Sequence, residues 1–334
     1  MSLENKMKEI LEGRRPGKRA LWLLSKLYQA GVRLRHEAYQ SRLLTTKKVP
    51  AVVVSVGNIV AGGTGKTPLV YFLASELSKE HKVAILSRGY RSIAENEGPT
   101  FVEASMQADE VGDESLWLAQ KLPEVQVWVG ADRYASAKKA VENGAEIIIL
   151  DDGFQHRRLH RDFDVVVTAA ESPYSNGHFL PRGYLRDLPS RLSSATLLAV
   201  MGSKKLNVKV PQVFFDRRAT VDLKGKKVAL FCAIANPERF LNQIQASGAK
   251  IKVSLIKPDH EPFTVKELEE LAQQSKADVL VCTEKDFVKL ASTSLPIIPV
   301  PLELSITEGT DVWKQFINQI KSQVQHVRIP SHTS

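Results

Sequence analysis

Cysteine is nearly absent from this 334-residue chain, which holds only Cys232 and Cys282. Two thiols cannot build a disulfide framework or a four-cysteine zinc site. Each sits inside an apolar, strand-like run, so both read as small core residues in a reducing cytoplasm. No apolar run approaches the length needed to cross a bilayer. Met1 to Leu11 mixes lysine with glutamate and lacks a continuous apolar stretch, so no signal peptide is expected. Aromatics make up 7% of the chain and do not alternate with basic residues, which argues against a stacking platform for nucleic acid. With 43% hydrophobic and 25% charged residues, the composition is that of an ordinary globular protein with room for two cores.

The net charge of +9 is concentrated at one end: residues 1–48 carry twelve Lys or Arg against four Glu. From Gly17 to Arg35 the pattern is helical. Ala20, Leu21, Leu23, Leu24, Leu27, Tyr28, Ala30, Gly31 and Leu34 share one broad face. Lys18, Arg19, Ser25, Lys26, Gln29 and Arg33 lie opposite, with Trp22 among them. An apolar arc against a cationic arc suits an interfacial membrane helix, with Arg19, Leu23, Leu24, Lys26, Leu27 and Arg33 as its contacts. The same periodicity also suits a helix whose apolar face packs on the protein core.

The best-defined motif is Ser55-Val56-Gly57-Asn58-Ile59-Val60-Ala61-Gly62-Gly63-Thr64-Gly65-Lys66-Thr67-Pro68. It follows a β-branched run, Ala51 to Val54, and precedes a helical segment, Leu69 to Lys79, which is the setting of a P-loop. Glycines let backbone N–H groups turn toward phosphate oxygens, and the helix N-terminus adds its positive dipole end. Gly62, Gly63, Thr64, Gly65, Lys66 and Thr67 are the expected nucleotide ligands. Lys66 would meet the terminal phosphates, and the Thr67 hydroxyl would hold Mg²⁺. Val60 stands where the usual pattern has its first glycine, so the loop is a GGTGKT variant.

Strands and helices alternate after it. Val83 to Leu86 leads into Ser87-Arg88-Gly89-Tyr90-Arg91, a ligand-facing loop or a solvated turn. Val111-Gly112-Asp113-Glu114 opens the helix Ser115 to Lys121. Its paired acids either complement the helix dipole or bring a carboxylate to a substrate hydroxyl. Val125 to Val129 ends at Gly130-Ala131-Asp132-Arg133, before a helix through Glu142. Glu146 to Leu150 then delivers Asp151 and Asp152, the arrangement of a Walker B strand carrying carboxylates to Mg²⁺. Gln155-His156-Arg157-Arg158 adds cations at the same edge.

Phe163 to Ala169 and Ala195 to Met201 are strands, and Pro173 to Arg191 between them has the character of a functional loop. Val210 to Val221 reads as a strand pair. The second half repeats the alternation, with Asp259-His260 and Thr283-Glu284-Lys285-Asp286 after strands, where α/β sheets bind ligands. The expected divisions are a basic amphipathic segment (1–48), a P-loop nucleotide-binding lobe (49–201), a linker (202–224) and a smaller C-terminal α/β lobe (225–334). The expected class is α/β, with a mostly parallel, P-loop kinase-like sheet covered by helices on both faces.

Taken together, SVGNIVAGGTGKTP, LSRGYRS, VGDES, VGADR, ILDDGFQHRRLHRDFDVV, LPRGYLRDLPSRL, PDHEPF and TEKDFVKL resemble the tetraacyldisaccharide 4'-kinase (lipid A 4'-kinase) family. The resemblance runs from the first helix to the last. It is most specific in the GGTGKTP and DDGFQHR strings. LPRGYLRDL departs from the commoner pattern at Arg182 and Tyr184, while Arg186 keeps its place.

The resemblance implies transfer of the ATP γ-phosphate to the 4'-hydroxyl of an acylated glucosamine disaccharide 1-phosphate in lipid A biosynthesis. ATP and Mg²⁺ are the implied cofactors, and the implied place is peripheral, on the cytoplasmic face of a Gram-negative inner membrane. No nucleic acid and no obligate protein partner are implied. Lys66 and Thr67 match the P-loop ligands, and Asp151 and Asp152 match the Walker B acids. Asp113 and His260 match the pair that activates the hydroxyl, Arg133 and Arg186 match site arginines, and Thr283 and Lys285 are placed at the nucleotide. Asp113 and His260 lie in different halves of the sequence, so their meeting is expected to require two lobes facing each other across the nucleotide. A competing reading is a membrane-associated P-loop ATPase or switch of the deviant GGxGKT group, whose signature lysine would fall at Ala61.

Overall fold

The computed structural model describes residue 7 and residues 9–15, 19–290 and 293–328. Gly17, Lys18 and most of Met1 to Leu11 therefore lie outside the described residues. Along the chain the elements are α1 (Arg19–Gln40), β1 (Val52–Gly57), α2 (Lys66–Leu77), β2 (Val83–Ser87), β3 (Thr100–Phe101), α3 (Asp113–Lys121), β4 (Gln126–Val129) and α4 (Arg133–Glu142). Four strands follow: β5 (Ile147–Asp151), β6 (Phe163–Ala169), β7 (Leu197–Met201) and β8 (Gln212–Ala219). Then come β9 (Lys227–Cys232), α5 (Pro237–Ala246), β10 (Lys250–Ile256), α6 (Val265–Ser275), β11 (Val279–Thr283), β12 (Ile297–Val300), β13 (Leu302–Glu308) and α7 (Thr310–Arg328). A four-residue helical turn, Glu284–Phe287, follows β11.

Two compact units emerge, and the chain weaves between them. Unit 1 combines Met1–Ser87, Asp132–Asp216 and Ile306–Ser334, and unit 2 combines Arg88–Ala131 with Arg217–Ser305. The sequential division expected at 49–201 and 225–334 is thereby corrected. Residues 88–131 leave the P-loop half and pack with the second half. The segment 202–224 also differs from expectation: it holds a single strand, β8, rather than a strand pair, and β8 extends the sheet of unit 1.

In unit 1, β2, β5, β1, β6, β7 and β8 lie side by side in that order, every pair parallel. β1, β5 and β7 are buried along their whole length, as parallel strands covered on both faces require. α2 buries Leu69, Val70, Leu73, Ala74 and Leu77. α7 brings Trp313 and Phe316 against Phe72, Phe215 and Phe163 in a set of edge-on and tilted ring contacts. Trp313 Nε1 donates to Glu76 Oε2 at 2.8 Å, satisfying the indole.

Unit 2 is built on a parallel sheet in the order β10, β9, β11, β12. The two-residue period of β9 divides its core. Val228, Leu230 and Cys232 face Phe240 and Ile244 of α5, while Ala229, Phe231 and Ala233 face Leu268 and Leu271 of α6. Cys232 and Cys282 are free and fully buried on opposite sides of this sheet. Burial pushes the Cys232 thiol up to about 12, so it stays protonated and behaves as a small hydrophobe.

α1 docks differently from expectation. The stripe that meets unit 1 is Ser25, Tyr28 and Val32: Ser25 Oγ donates to Phe179 O at 2.8 Å, and Tyr28 contacts the Phe179 ring. Leu23, Leu24, Leu27 and Leu34 are 50–66% exposed, as is much of Trp22. The reading in which the leucines pack on the core is corrected. A small polar serine lets the helix approach closely and leaves the leucine arc free.

Candidate active site

The P-loop starts where β1 ends. Gly57 sits against Phe154, where an added Cβ would come within 2.5 Å of Phe154 Cβ and 2.7 Å of its backbone nitrogen. Only glycine allows that approach. Gly62 (φ 108°) and Gly65 (φ 96°) take the left-handed conformation that turns the loop into α2. Gly65 precedes the helix and offers it no side-chain cap, and a helix N-terminus of this kind suits a phosphate.

The loop is braced from two sides. Asn58, 1% exposed, donates to Thr64 Oγ1 at 2.7 Å, and its carbonyl accepts from Gln155 Nε2 at 2.8 Å. The 173–191 loop pairs with the approach to the P-loop through Val60 and Leu185, and the amide of Arg186 donates to Ile59 O at 2.9 Å. That pairing delivers the Arg186 side chain to Asp152. The guanidinium donates to both Asp152 oxygens, at 2.8 Å to Oδ2, and also to Asn58 Oδ1. Lys66 Nζ lies 3.5 Å from Asp152 Oδ1. Burial raises the Asp152 pKa, but Arg186 and Lys66 outweigh it and hold the carboxyl at about 2.

Asp152 itself has φ 55°, a left-handed turn straight after the strand. Its carboxylate is clamped by Arg186 and lies beside Lys66. Asp151 ends β5 in register with Val56 of β1 and is 5% exposed. Its carboxylate and the Thr67 hydroxyl are a candidate set of hard oxygens. That set suits Mg²⁺, which is typically bound by one or two carboxylates and completed by phosphate oxygens and water. Among the described residues no three acidic, histidine or cysteine side chains form a metal cage by themselves.

Arg133 opens α4 and is 5% exposed. It neighbours His156, whose pKa falls to about 4 through burial first and the Arg133 charge second. His156 is therefore a neutral ring at ordinary pH.

Asp113 and His260 do meet. His260 Nδ1 lies 3.1 Å from Asp113 Oδ2. A carboxylate only accepts, so Nδ1 carries the proton and Nε2 is the basic nitrogen. Both residues belong to unit 2, so the expectation that two lobes must face each other to form the pair is corrected. Gly112 (φ 88°) starts α3 at Asp113, and His260 holds φ 71° with its amide donating to Ala233 O at 3.2 Å.

Lys285 lies among these groups, 3.2 Å from Glu114 Oε1, 3.3 Å from Asp259 Oδ1, 3.4 Å from His260 Nε2 and 3.7 Å from Asp113 Oδ2. Burial favours its neutral form, but the three carboxylates outweigh burial and raise its pKa. Burial also pushes Asp113 up, and the His260 hydrogen bond together with Lys285 and Lys289 brings it below its ordinary value. His260 is raised chiefly by its hydrogen bond to Asp113, against burial and Lys285.

Lys285 and Thr283 occupy positions in unit 2 with partners of their own. Thr283 caps the turn 284–287, accepting from the Asp286 amide at 3.1 Å and donating to its carboxylate at 2.7 Å. Sequence reasoning passed over Asn58, Gln155 and the fully buried Asp286, which holds Lys289 at 2.9 Å. Asn58 and Gln155 lie inside the quoted strings, and for Asn58 a polar residue directly after the buried strand β1 was the available signal.

Residues 17–321 match the model of the tetraacyldisaccharide-1-P 4'-kinase family. A tetraacyldisaccharide 4'-kinase of Chlamydia abortus is 36% identical over 330 residues, covering 89% of each chain. One of Halothermothrix orenii is 34% identical over 316 residues, covering 81% of this chain and 82% of its own. The crystal structure of LpxK from Aquifex aeolicus in complex with ATP has 29% identity and a TM-score of 0.77, covering 90% of this chain and 98% of that one. The chain belongs to the tetraacyldisaccharide-1-P 4'-kinase family.

Proposed function

We propose that this chain transfers the γ-phosphate of ATP to the 4'-hydroxyl of an acylated glucosamine disaccharide 1-phosphate, a step of lipid A biosynthesis. The carrying observation is the Asp113–His260 pair, with Nδ1 on the carboxylate at 3.1 Å and Nε2 left basic. An alcohol acceptor gains from a base as it attacks, and a histidine oriented by a carboxylate suits that role near neutral pH.

His260 Nε2 takes the hydroxyl proton, and Asp113 stabilises the imidazolium that results. On the donor side the uncapped start of α2 receives phosphate oxygens, and Lys66 neutralises charge on the transferring group. Arg186, held by Asp152, adds a second cation near Lys66. Thr67 and Asp151 would hold Mg²⁺, which supplies charge neutralisation between the phosphates. Arg133 holds the cationic start of α4 beside the Walker B loop.

The helix α1 gives the lipid acceptor a place. Exposed Leu23, Leu24, Leu27 and Leu34 beside exposed Arg19, Lys26 and Arg33 match a bilayer surface with anionic head groups. No helix among the described residues is long and apolar enough to cross a membrane, so the proposed association is peripheral, at the cytoplasmic face of the inner membrane. The activity calls for no nucleic acid and no obligate protein partner. Against the ATPase or switch reading, Ala61 stands where the deviant group carries its lysine.

The test is transfer of label from [γ-³²P]ATP to a lipid-linked disaccharide phosphate, read in the lipid extract. Label in the lipid is expected. Label recovered solely as inorganic phosphate would favour the ATPase reading.

A further inference from the structure

Unit 2 buries an ion pair that the reaction described above leaves unused. Asp286 is fully buried, and the Lys289 side chain is only 8% exposed. A carboxylate in that position is costly unless it is both paired and hydrogen-bonded. Asp286 meets both conditions. Its Oδ2 accepts from the Thr283 hydroxyl at 2.7 Å and from the Ala233 amide at 3.1 Å, and its Oδ1 lies 2.9 Å from Lys289 Nζ. The spacing has a local cause: Thr283 caps the turn 284–287, and Lys289 comes three residues after Asp286, its amide donating to Asp286 O at 3.2 Å.

Both ends of this pair lead to the base. At one end stands Ala233, whose amide is held by Asp286 and whose carbonyl accepts from the His260 amide at 3.2 Å. His260 keeps its left-handed φ of 71° there, so a strained backbone rests on a residue that a buried carboxylate fixes. At the other end Lys289 Nζ lies 4.0 Å from Asp113 Oδ2, the oxygen that faces His260 Nδ1. Asp113, Ala233, His260, Asp286 and Lys289 all belong to unit 2.

Stability alone is a weak reason for such a pair. Apolar residues of similar volume often replace a buried ion pair at no cost or with a gain. An ammonium within reach of two carboxylates, one of them the partner of the base, has a use that an apolar filling would lack.

We propose that Asp286 and Lys289 are positioning residues for the base: Asp286 ties down the backbone on which His260 rests, and Lys289 steadies the Asp113 carboxylate that orients the imidazole. The inference rests on the kinase reading above. It adds a layer behind the pair that touches the acceptor hydroxyl, and neither residue meets substrate itself.

The surrounding charges set the sign of the test. His260 is faced by Asp113 from α3, Lys285 from the turn after β11, its neighbour Asp259 and the Tyr90 ring, 6.5 Å away. Asp113 is faced by His260, Lys285 and Lys289, and Lys285 also meets Glu114 and Asp259. Removing the Lys289 cation makes the Asp113–His260 pair hold protons more tightly. The acidic limb of kcat/KM then moves to higher pH. Removing the Asp286 anion leaves Lys289 to act on Asp113 alone, and the limb moves to lower pH.

The experiment is label transfer from [γ-³²P]ATP to the acylated disaccharide phosphate across pH 5.5–9, for wild type, Lys289→Met, Lys289→Arg and Asp286→Asn. Lys289→Met should raise the limb by about 1 pH unit and lower kcat on its plateau by up to ~10²-fold, with the KM values for ATP and acceptor near wild type. Lys289→Arg keeps the charge and should return the limb to its wild-type position. Asp286→Asn can keep its bonds to Ala233 and Thr283 through the amide oxygen, so it decides the matter if Lys289→Met does not fold. Its limb should shift downward. Loss of kcat with the limb unmoved in the folded variants would overturn the proposal and leave the pair as a piece of core, and so would a change confined to KM. If the wild type labels no lipid at any pH, the kinase reading itself fails, a result distinct from a limb that stays in place.

Discussion

Replacing Asp113 by alanine removes the carboxylate from a histidine that has few other reasons to be basic. Oδ2 lies 3.1 Å from Nδ1, and Asp113 is 7% exposed, so the pair is poorly screened on the carboxylate side. Opposite unit charges about 4 Å apart at an effective dielectric of ~20 interact by about 4 kcal/mol. The His260 side chain is 29% exposed, and solvent takes part of that away. What remains to stabilise an imidazolium in the transition state corresponds to a ~10²–10³-fold rate loss, within the usual range for general-base catalysis. His260→Ala should lose turnover by ~10²–10⁴-fold, and the double variant should be little worse than the worse single one, because the two residues act together. ATP affinity should barely change in any of the three.

The pH dependence of that pair carries a sign. A base must be neutral to act, so kcat/KM falls as pH drops through the His260 pKa. The Asp113 hydrogen bond raises that pKa, while burial and Lys285 lower it. In Asp113→Ala the acidic limb should therefore move to lower pH. Stability runs the other way. A raised folded-state pKa stabilises below the ordinary value of 6.5, and this contribution is lost as pH rises through the folded value. His260→Ala should thus cost more in Tm at pH 5.5 than at pH 8.5. Fully multiplicative losses in the double variant, or an acidic limb that stays in place in Asp113→Ala, would refute the pairing.

Lys66→Ala should abolish label transfer while far-UV circular dichroism and Tm stay near wild type, since Lys66 lies at the start of α2 and contributes nothing to its buried face; wild-type turnover would dismiss the P-loop. Gly57→Ala should destabilise by about 1–3 kcal/mol or more, read as a lower Tm, because its Cβ would fall 2.5 Å from Phe154 Cβ; an unchanged Tm would mean the loop yields more easily than the contact suggests. Replacing Arg19, Lys26 and Arg33 together by glutamine should weaken sedimentation with anionic vesicles by up to about 1 kcal/mol per cation. Binding that survives both this change and replacement of the exposed leucines by serine would remove α1 from the membrane.

Local patterns in the sequence translated well wherever the cause was local. The strand 163–169 falls on the apolar run that marks it, and the strand 197–201 falls within the run 195–201. The P-loop was readable because its glycines answer to backbone geometry within one turn. The face on which α1 docks was not readable. A helical wheel weights Leu23, Leu24 and Leu27 as core, whereas the contact is made by Ser25, whose size and hydroxyl matter and whose hydropathy does not.

The interleaving of the units was out of reach for a related reason: it depends on contacts far apart in sequence, and no local pattern at Arg88 or Asp132 announces it. Its consequence for the chemistry is direct. Residues 88–131 carry Asp113 into the unit that holds His260, Asp259 and Lys285, a partner 147 positions away in the case of the histidine. Two independent backbone devices then fix the pair, the left-handed Gly112 before α3 and the left-handed His260 itself. A non-glycine residue in that region costs free energy that its surroundings must offset. Here the offset is visible in the amide bond to Ala233 and the imidazole bond to Asp113. His260 is therefore oriented within unit 2 alone, while Lys66, Asp152 and Arg186 are held within unit 1.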